Sequence, residues 1–422
     1  MSFANAILND FSDIAALGAL YDPNLSRMKA FSQLLKADIP CHQNFDQLVS
    51  ENRPDTLIIC TPDSTHDQLI ELAFQNELDV IVEKPLTTTL EKVGKILRLE
   101  KIHQRRVTVA FNCRYMPLFL ELKKLLMTKP IGEILSVNLE WSIDRYHGAE
   151  YFRRWHGELA NSGGLLVHKS SHHFDLINWL LDDVPTDVSA FGSLQYFGWR
   201  PDKPYGRNCR SCDHRNSCPL VHRPDWEGME PLYFQAEHED GYYRDRCVFR
   251  PEIDIFDTMN VQVRYRRGTQ LGYSLSTYSS SEGLKLSLTG TEGRIETEKF
   301  FRGSLTDSPN HAIRVGSGFG KTFQKRTLEI PPAEGAHSGG DIRMFGDLLG
   351  ESDRNPWNQK ADSEAGTMSC LIGIMANQSI LSGRTERIPS CGQIMGATED
   401  WSIPGRLPGQ SSVTLSRHEK LH

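Results

Sequence analysis

Along the first hundred residues the apolar positions switch between two periods. Short β-branched runs predict strands over 14–21, 56–60, 79–82 and 107–111, each stopped by a turn signal such as Asp22-Pro23 or Thr61-Pro62. Between them, apolar residues three and four apart predict helices over 25–36, 66–75 and 90–103, and 4–11 reads as the end of another. Strands that alternate with helices in this way imply a parallel sheet covered by helices. Ligands of such sheets bind beyond the carboxyl ends of the strands. Asp22, Thr61, Glu83 with Lys84, and Asn112 all stand at those ends and are expected to share one rim.

After Arg114 the texture changes. A helix over 118–126 leads through Pro130-Ile131-Gly132 into a strand over 135–143, and a helix over 164–181 follows. Runs at 188–196, 261–265, 269–278, 285–290 and 293–297 read as successive strands with glycine turns. The expected fold class is therefore α/β: a Rossmann-like parallel sheet, amino-terminally truncated, then an α+β domain with an open, mainly antiparallel sheet. We place the first domain at 1–113 and the second at 114–403, with a polar, Cys-rich insertion at 198–251 and a loosely held tail at 404–422.

Composition narrows the function classes. With 39% hydrophobic and 24% charged residues, and no apolar run near membrane-spanning length, a water-soluble globular chain is expected. The first residues, MSFANAILNDFSD, carry no secretory pattern, which points to the cytoplasm. Forty-seven basic against fifty-four acidic residues leave a net charge of −7, against a nucleic-acid binder that neutralises phosphates. The RYRRG run at 264–268 reads as a solvated hairpin turn.

Several motifs stand at telling distances: Thr61-Pro62-Asp63-Ser64-Thr65-His66, Glu83-Lys84-Pro85, Asn112-Cys113-Arg114-Tyr115, Ile131-Gly132-Glu133-Ile134, and Gly163-Gly164-Leu165-Leu166 followed by His168, His172 and Asp175. Together they make the chain resemble the Gfo/Idh/MocA family of NAD(P)-dependent sugar and cyclitol oxidoreductases, over about residues 1–300. The resemblance implies Lys84, His172 and Asp175 as the catalytic group. A lysine at a strand end can hold its charge against a substrate oxygen or lose its proton near neutral pH. An imidazole at position 172 can exchange the alcohol proton, and Asp175, three residues on, is expected to orient it. Asp22, Thr61, Pro62, His66, Glu83, Lys84 and Asn112 are implied for the cofactor, and Arg114, Tyr115 and His168 for the substrate. Many relatives carry an aspartate where this chain has His168, and His168 with His172 could instead ligate a metal. Pro85 fixes the backbone after Lys84, through a cis bond if one forms.

Dinucleotide sites normally open with a strand and a glycine-rich turn ahead of the ribose-binding acid. Asp22 is placed as that acid, yet no GxGxxG precedes it, and Gly18 stands only four residues before it. The first strand and phosphate cradle are therefore expected to be missing, through a shifted start, a damaged gene or a true loss of cofactor binding. A carboxylate at Asp22 favours NAD over NADP.

Nine cysteines fit a reducing compartment, but four fall in one segment: Cys209, Cys212, Cys218 and Cys247. Their spacing suits a structural zinc; an iron–sulfur cluster and free thiols are the alternatives. EHEDGYYRD, from Glu237 on, reads as a loop at the substrate cleft or a solvated turn.

Three functions follow. The first is a dehydrogenase of a small sugar, cyclitol or related polyol, as a homodimer or homotetramer. The second is an NAD-dependent glycosidase or lyase that uses transient oxidation. The third is a non-catalytic sensor or scaffold.

Overall fold

The computed structural model describes residues 2–222, 230–306, 311–331, 334–350 and 357–396. Fifteen strands are found there: β1 Leu20–Tyr21, β2 Cys41–His42, β3 Thr56–Ile59, β4 Asp79–Val82, β5 Val107–Val109, β6 Ile134–Asp144, β7 Pro185–Ser193, β8 Thr258–Tyr265, β9 Gln270–Ser279, β10 Ser281–Gly290, β11 Gly293–Gly303, β12 His311–Ser317, β13 Gln324–Ile330, β14 Ala361–Asp362 and β15 Glu386–Arg387.

In the first part of the chain β3, β4 and β5 pair in parallel. Val80, Ile81 and Val82 are all buried, as a strand covered on both faces requires. Helices His66–Gln75 and Leu90–His103 flank this sheet as the spacing predicts. The strand expected over 14–21 shrinks to Leu20–Tyr21, because its only ladder partner is the short β2, with Leu20 opposite Cys41. Among the described residues no strand joins this β1–β2 pair to β3.

The second sheet has nine strands in the order β13-β12-β11-β10-β6-β9-β8-β7-β15. Only β6 and β9 run parallel; the other neighbours are antiparallel. Burial alternates along β8, so one face meets the core and the other faces out. The fold is therefore a Rossmann-like parallel sheet followed by an α/β domain with a mainly antiparallel sheet.

Two differences from the sequence reading concern the site. The helix expected over 164–181 is broken at Lys169 into Leu165–His168 and Ser170–Leu181. The carbonyl of His168 accepts from the Lys84 ammonium, a side chain entering the helical ladder from outside. In addition, the late chain returns to the first sheet: Ala361 pairs with Val109, and helix Ser363–Ser382 follows directly. The expected tail at 404–422 lies outside the described residues.

Candidate active site

The ends of β3, β4 and β5 and one helix pair supply the site. β4 closes where the Glu83 amide donates to Ile59 O at 2.9 Å, and the Lys84–Pro85 peptide is cis. Lys84 reaches toward the second domain, where its Nζ donates to His168 O at 2.9 Å. After β3, a single 3-10 turn at Asp63–Thr65 buries Asp63. Its Oδ2 stands 2.6 Å from His168 Nδ1, a charge-assisted length. An imidazole that donates from Nδ1 to this carboxyl group keeps a lone pair at Nε2. The ring of His168 also packs edge-on against His156, with centroids 4.3 Å apart, and His156 stacks on Trp155.

His172 lies one turn further on, packed edge-on against Phe111 and buried; its Nδ1 has no hydrogen-bond partner. The expected orienting role of Asp175 is corrected here. Both of its oxygens are held by the Arg114 fork, Nε to Oδ2 at 2.8 Å and Nη2 to Oδ1 at 2.6 Å. A carboxylate engaged bidentately by one guanidinium is committed to that partner. Arg114 also donates to Asn358 O, which ties the strand end after β5, the Ser170–Leu181 helix and the late chain together.

Burial sets the electrostatics. It pushes Asp63 up and Lys84 down, each opposed by the other's charge. Burial, and then the nearby Lys84 charge, hold both His168 and His172 well below the usual imidazole value, so both rings are neutral bases at neutral pH. Burial lowers His156 in the same direction, with Arg154 and Lys84 adding to it.

The other residues singled out in the sequence fall into two groups. Asn112 is buried at the site and donates to Asp341 at 2.8 Å, and its Oδ1 has no partner. Half-buried Glu83 is raised by burial against the opposing Lys84 charge. Elsewhere, His66 is a clamp, with Nδ1 3.0 Å from Pro85 O and Nε2 3.0 Å from Thr61 O, which pins the ends of β3 and β4 together. Thr61 bonds Thr65 at 2.7 Å, beside exposed Pro62. Tyr115 turns away to donate to Asp347 at 2.5 Å. Asp22 accepts from the Asn24 amide at 2.7 Å and stands 3.7 Å from Arg27. Neither Asp63 nor His156 is singled out as a site residue by the sequence. Asp63 lay inside a quoted motif, and only the fold across the domains reveals its partner.

The insertion also departs from expectation. Among the described residues no three of its cysteine sulfurs gather as metal ligands would. Cys209 instead accepts from Arg153 Nη1 at 3.2 Å and from the His222 amide at 3.3 Å. All four cysteines are free and half-buried. The EHED run is an exposed single helical turn, in line with the solvated turn rather than the cleft loop, and it is tethered: Glu239 accepts from the Ser26 amide at 3.1 Å and Asp240 from Arg27 at 2.5 Å, which fastens the insertion beside Asp22.

Comparison with known proteins agrees with this architecture. A model described as "Oxidoreductase family, NAD-binding Rossmann fold" matches residues 2–111, and one described as "Oxidoreductase family, C-terminal alpha/beta domain" matches residues 123–388. The chain belongs to the Gfo/Idh/MocA oxidoreductase family. YteT of Bacillus subtilis (strain 168) is 35% identical over 393 residues, which covers 88% of this chain and 91% of that protein. The inositol 2-dehydrogenase of Rhizobium meliloti (strain 1021) is 29% identical over 140 residues, covering 33% of this chain and 40% of the relative. Among solved structures, a levoglucosan dehydrogenase in complex with NADH and levoglucosan superposes with a TM-score of 0.64 at 15% identity, covering 92% of this chain and 95% of the other. As a Gfo/Idh/MocA member the chain is an oxidoreductase with an NAD-binding Rossmann domain. No helix among the described residues is long and apolar enough to cross a membrane.

Proposed function

We propose that this oxidoreductase moves a hydride between the carbinol carbon of a sugar, cyclitol or related polyol and a nicotinamide cofactor. The observation that carries the reading is the Lys84 ammonium held on the His168 main-chain carbonyl, with the buried His168 and His172 rings near enough for burial and then the Lys84 charge to keep both neutral. NAD(P), when bound, supplies the hydride acceptor or donor. The buried, unpartnered polar atoms His172 Nδ1 and Asn112 Oδ1 suit a polar group bound at the strand ends. Among the described residues no strand joins the β1–β2 pair to β3, yet the NAD-binding family model matches residues 2–111, which supports a nicotinamide dinucleotide site here against the expected truncation.

In this reading Lys84 donates a hydrogen bond to the carbinol oxygen and stabilises the charge that grows there on oxidation. His172 takes the hydroxyl proton at its free nitrogen, and the Asp63–His168 pair offers a second proton station. Thr61, Glu83 and Asn112 line the cofactor side, while Arg114 and Asp175 brace the wall. Asp240 pairs with Arg27 beside Asp22, and two carboxylates there disfavour a 2′-phosphate and favour NAD.

Incubation with NAD and with NADP across a panel of aldoses, inositols, glycosides and uronates tests the reading, with both reduced nicotinamide and cleaved product measured. Reduced cofactor in proportion to ketone product is the expected result. Cleavage without net reduction would shift the assignment to bond breaking through transient oxidation. Lys84→Met at parental activity would remove the proposed mechanism.

A further inference from the structure

A second polar cluster lies outside the Lys84 site. Asp144, at the end of β6, His147, on the helix Arg145–Arg153, and Glu282, on β10, bring one ligand atom each to within 4.8 Å of one another. His147 Nδ1 stands 3.0 and 2.9 Å from the two Glu282 oxygens, and Asp144 also comes within hydrogen-bond reach of Glu282. The His147 ring and the Lys169 charge already face Glu282, and a cation between the two carboxylates would add to that compensation. Glu282 is 8% exposed, so water screens this contact poorly.

Backbone geometry builds the cluster. The register of β10 against β11 shifts at Glu282/Gly283, and that of β6 against β9 shifts between Ser142 and Asp144. Strand irregularities of this kind re-aim side chains, and here one falls at each carboxylate. The helix that carries His147 is locked against β9: a Cβ on Gly148 would meet Thr277 O at 1.8 Å, so only glycine permits the approach. The far nitrogen of His147, Nε2, lies 3.2 Å from the Tyr151 hydroxyl. An imidazole whose second nitrogen is held in this way is oriented as metal-bound histidines are.

We propose that Asp144, His147 and Glu282 form a divalent-cation site, two carboxylates and one imidazole with open positions left for water or a ligand oxygen. That donor set suits manganese, and also zinc or ferrous iron, rather than a thiolate-seeking ion. The Tyr151 ring packs 5.6 Å from His168, so the cation would stand one layer behind the proton-transfer groups. The inference is independent of the hydride-transfer reading, because it concerns binding alone.

The test is titration of chelator-treated full-length protein with Mn2+ at neutral pH, followed by electron paramagnetic resonance of free and bound metal. One Mn2+ per chain is expected, with a nitrogen coupling from the imidazole. Glu282→Gln should weaken binding at least tenfold, and His147→Gln should abolish the nitrogen coupling. Cys209→Ser should leave both unchanged. Circular dichroism establishes that each variant is folded, and the parent titration stands by itself if one is not. A parent that binds no Mn2+ at millimolar concentration, bound metal without a nitrogen coupling, or binding that survives Glu282→Gln undiminished would overturn the site.

Discussion

Asp175→Asn separates two roles for one carboxylate. If Asp175 oriented His172, the substitution would lower turnover and leave stability nearly intact. The structure instead encloses it with Arg114, at 1% and 4% side-chain exposure respectively. Burial raises the Asp175 pKa against the opposing charge and hydrogen bonds of Arg114, so desolvation outweighs much of the attraction within the pair. Such a pair adds little over apolar packing, but its half-removal strands a buried charge at a cost of about 3–5 kcal/mol. Asparagine keeps one acceptor for the fork and loses the charge, which places the expected loss near the lower end, about 3 kcal/mol. For a chain of this size that corresponds to a fall of roughly 3 °C in melting midpoint. Differential scanning calorimetry at one scan rate should show it, and the double variant Arg114→Met/Asp175→Leu should melt above Asp175→Asn alone. A shift under about 1 °C, or single costs that simply add in the double variant, would refute the pairing argument.

Two further outcomes test the remaining structure. Because burial depresses His172, its neutral form should persist below the ordinary imidazole value of about 6.5. The acid limb of kcat/KM for alcohol oxidation should accordingly fall well below that pH, and a limb at 6.5 or above would contradict a buried neutral base. Gly373→Ala would bring a Cβ to 2.1 Å from Leu166 O, where the Ser363–Ser382 helix packs on Leu165–His168. Backbone cannot yield as a side-chain tip can, so a loss of about 1–3 kcal/mol in thermal unfolding is expected, with weakened turnover as His168 shifts.

Much was legible before the fold was seen. The helices at His66–Gln75 and Leu90–His103 and the strand Asp79–Val82 follow from local periodicity, since their apolar residues repeat at the spacing of the element they build. Glu83-Lys84-Pro85 and the His168–His172 spacing are likewise local patterns, and the structure brings the Lys84 ammonium to the His168 carbonyl. β13 escaped that reading because QKRTLEI is almost wholly exposed and carries no apolar alternation, and it is a strand only because β12 offers it a ladder. β14, two residues long, exists only through β5.

What the sequence determined by itself was therefore local: the alternation of elements, the strand ends that form a rim, and the residue types able to move protons. The tertiary structure alone decided the partners. Helical spacing put Asp175 beside His172, but the chain brought Arg114 to it from 61 residues away. Asp63 crossed 105 residues to reach His168, and Glu282 crossed 135 to reach His147. Spacing along a helix constrains which side chains share a face, whereas a buried charge takes whichever opposite group the packed domains deliver within hydrogen-bond reach, and only folding sets that distance.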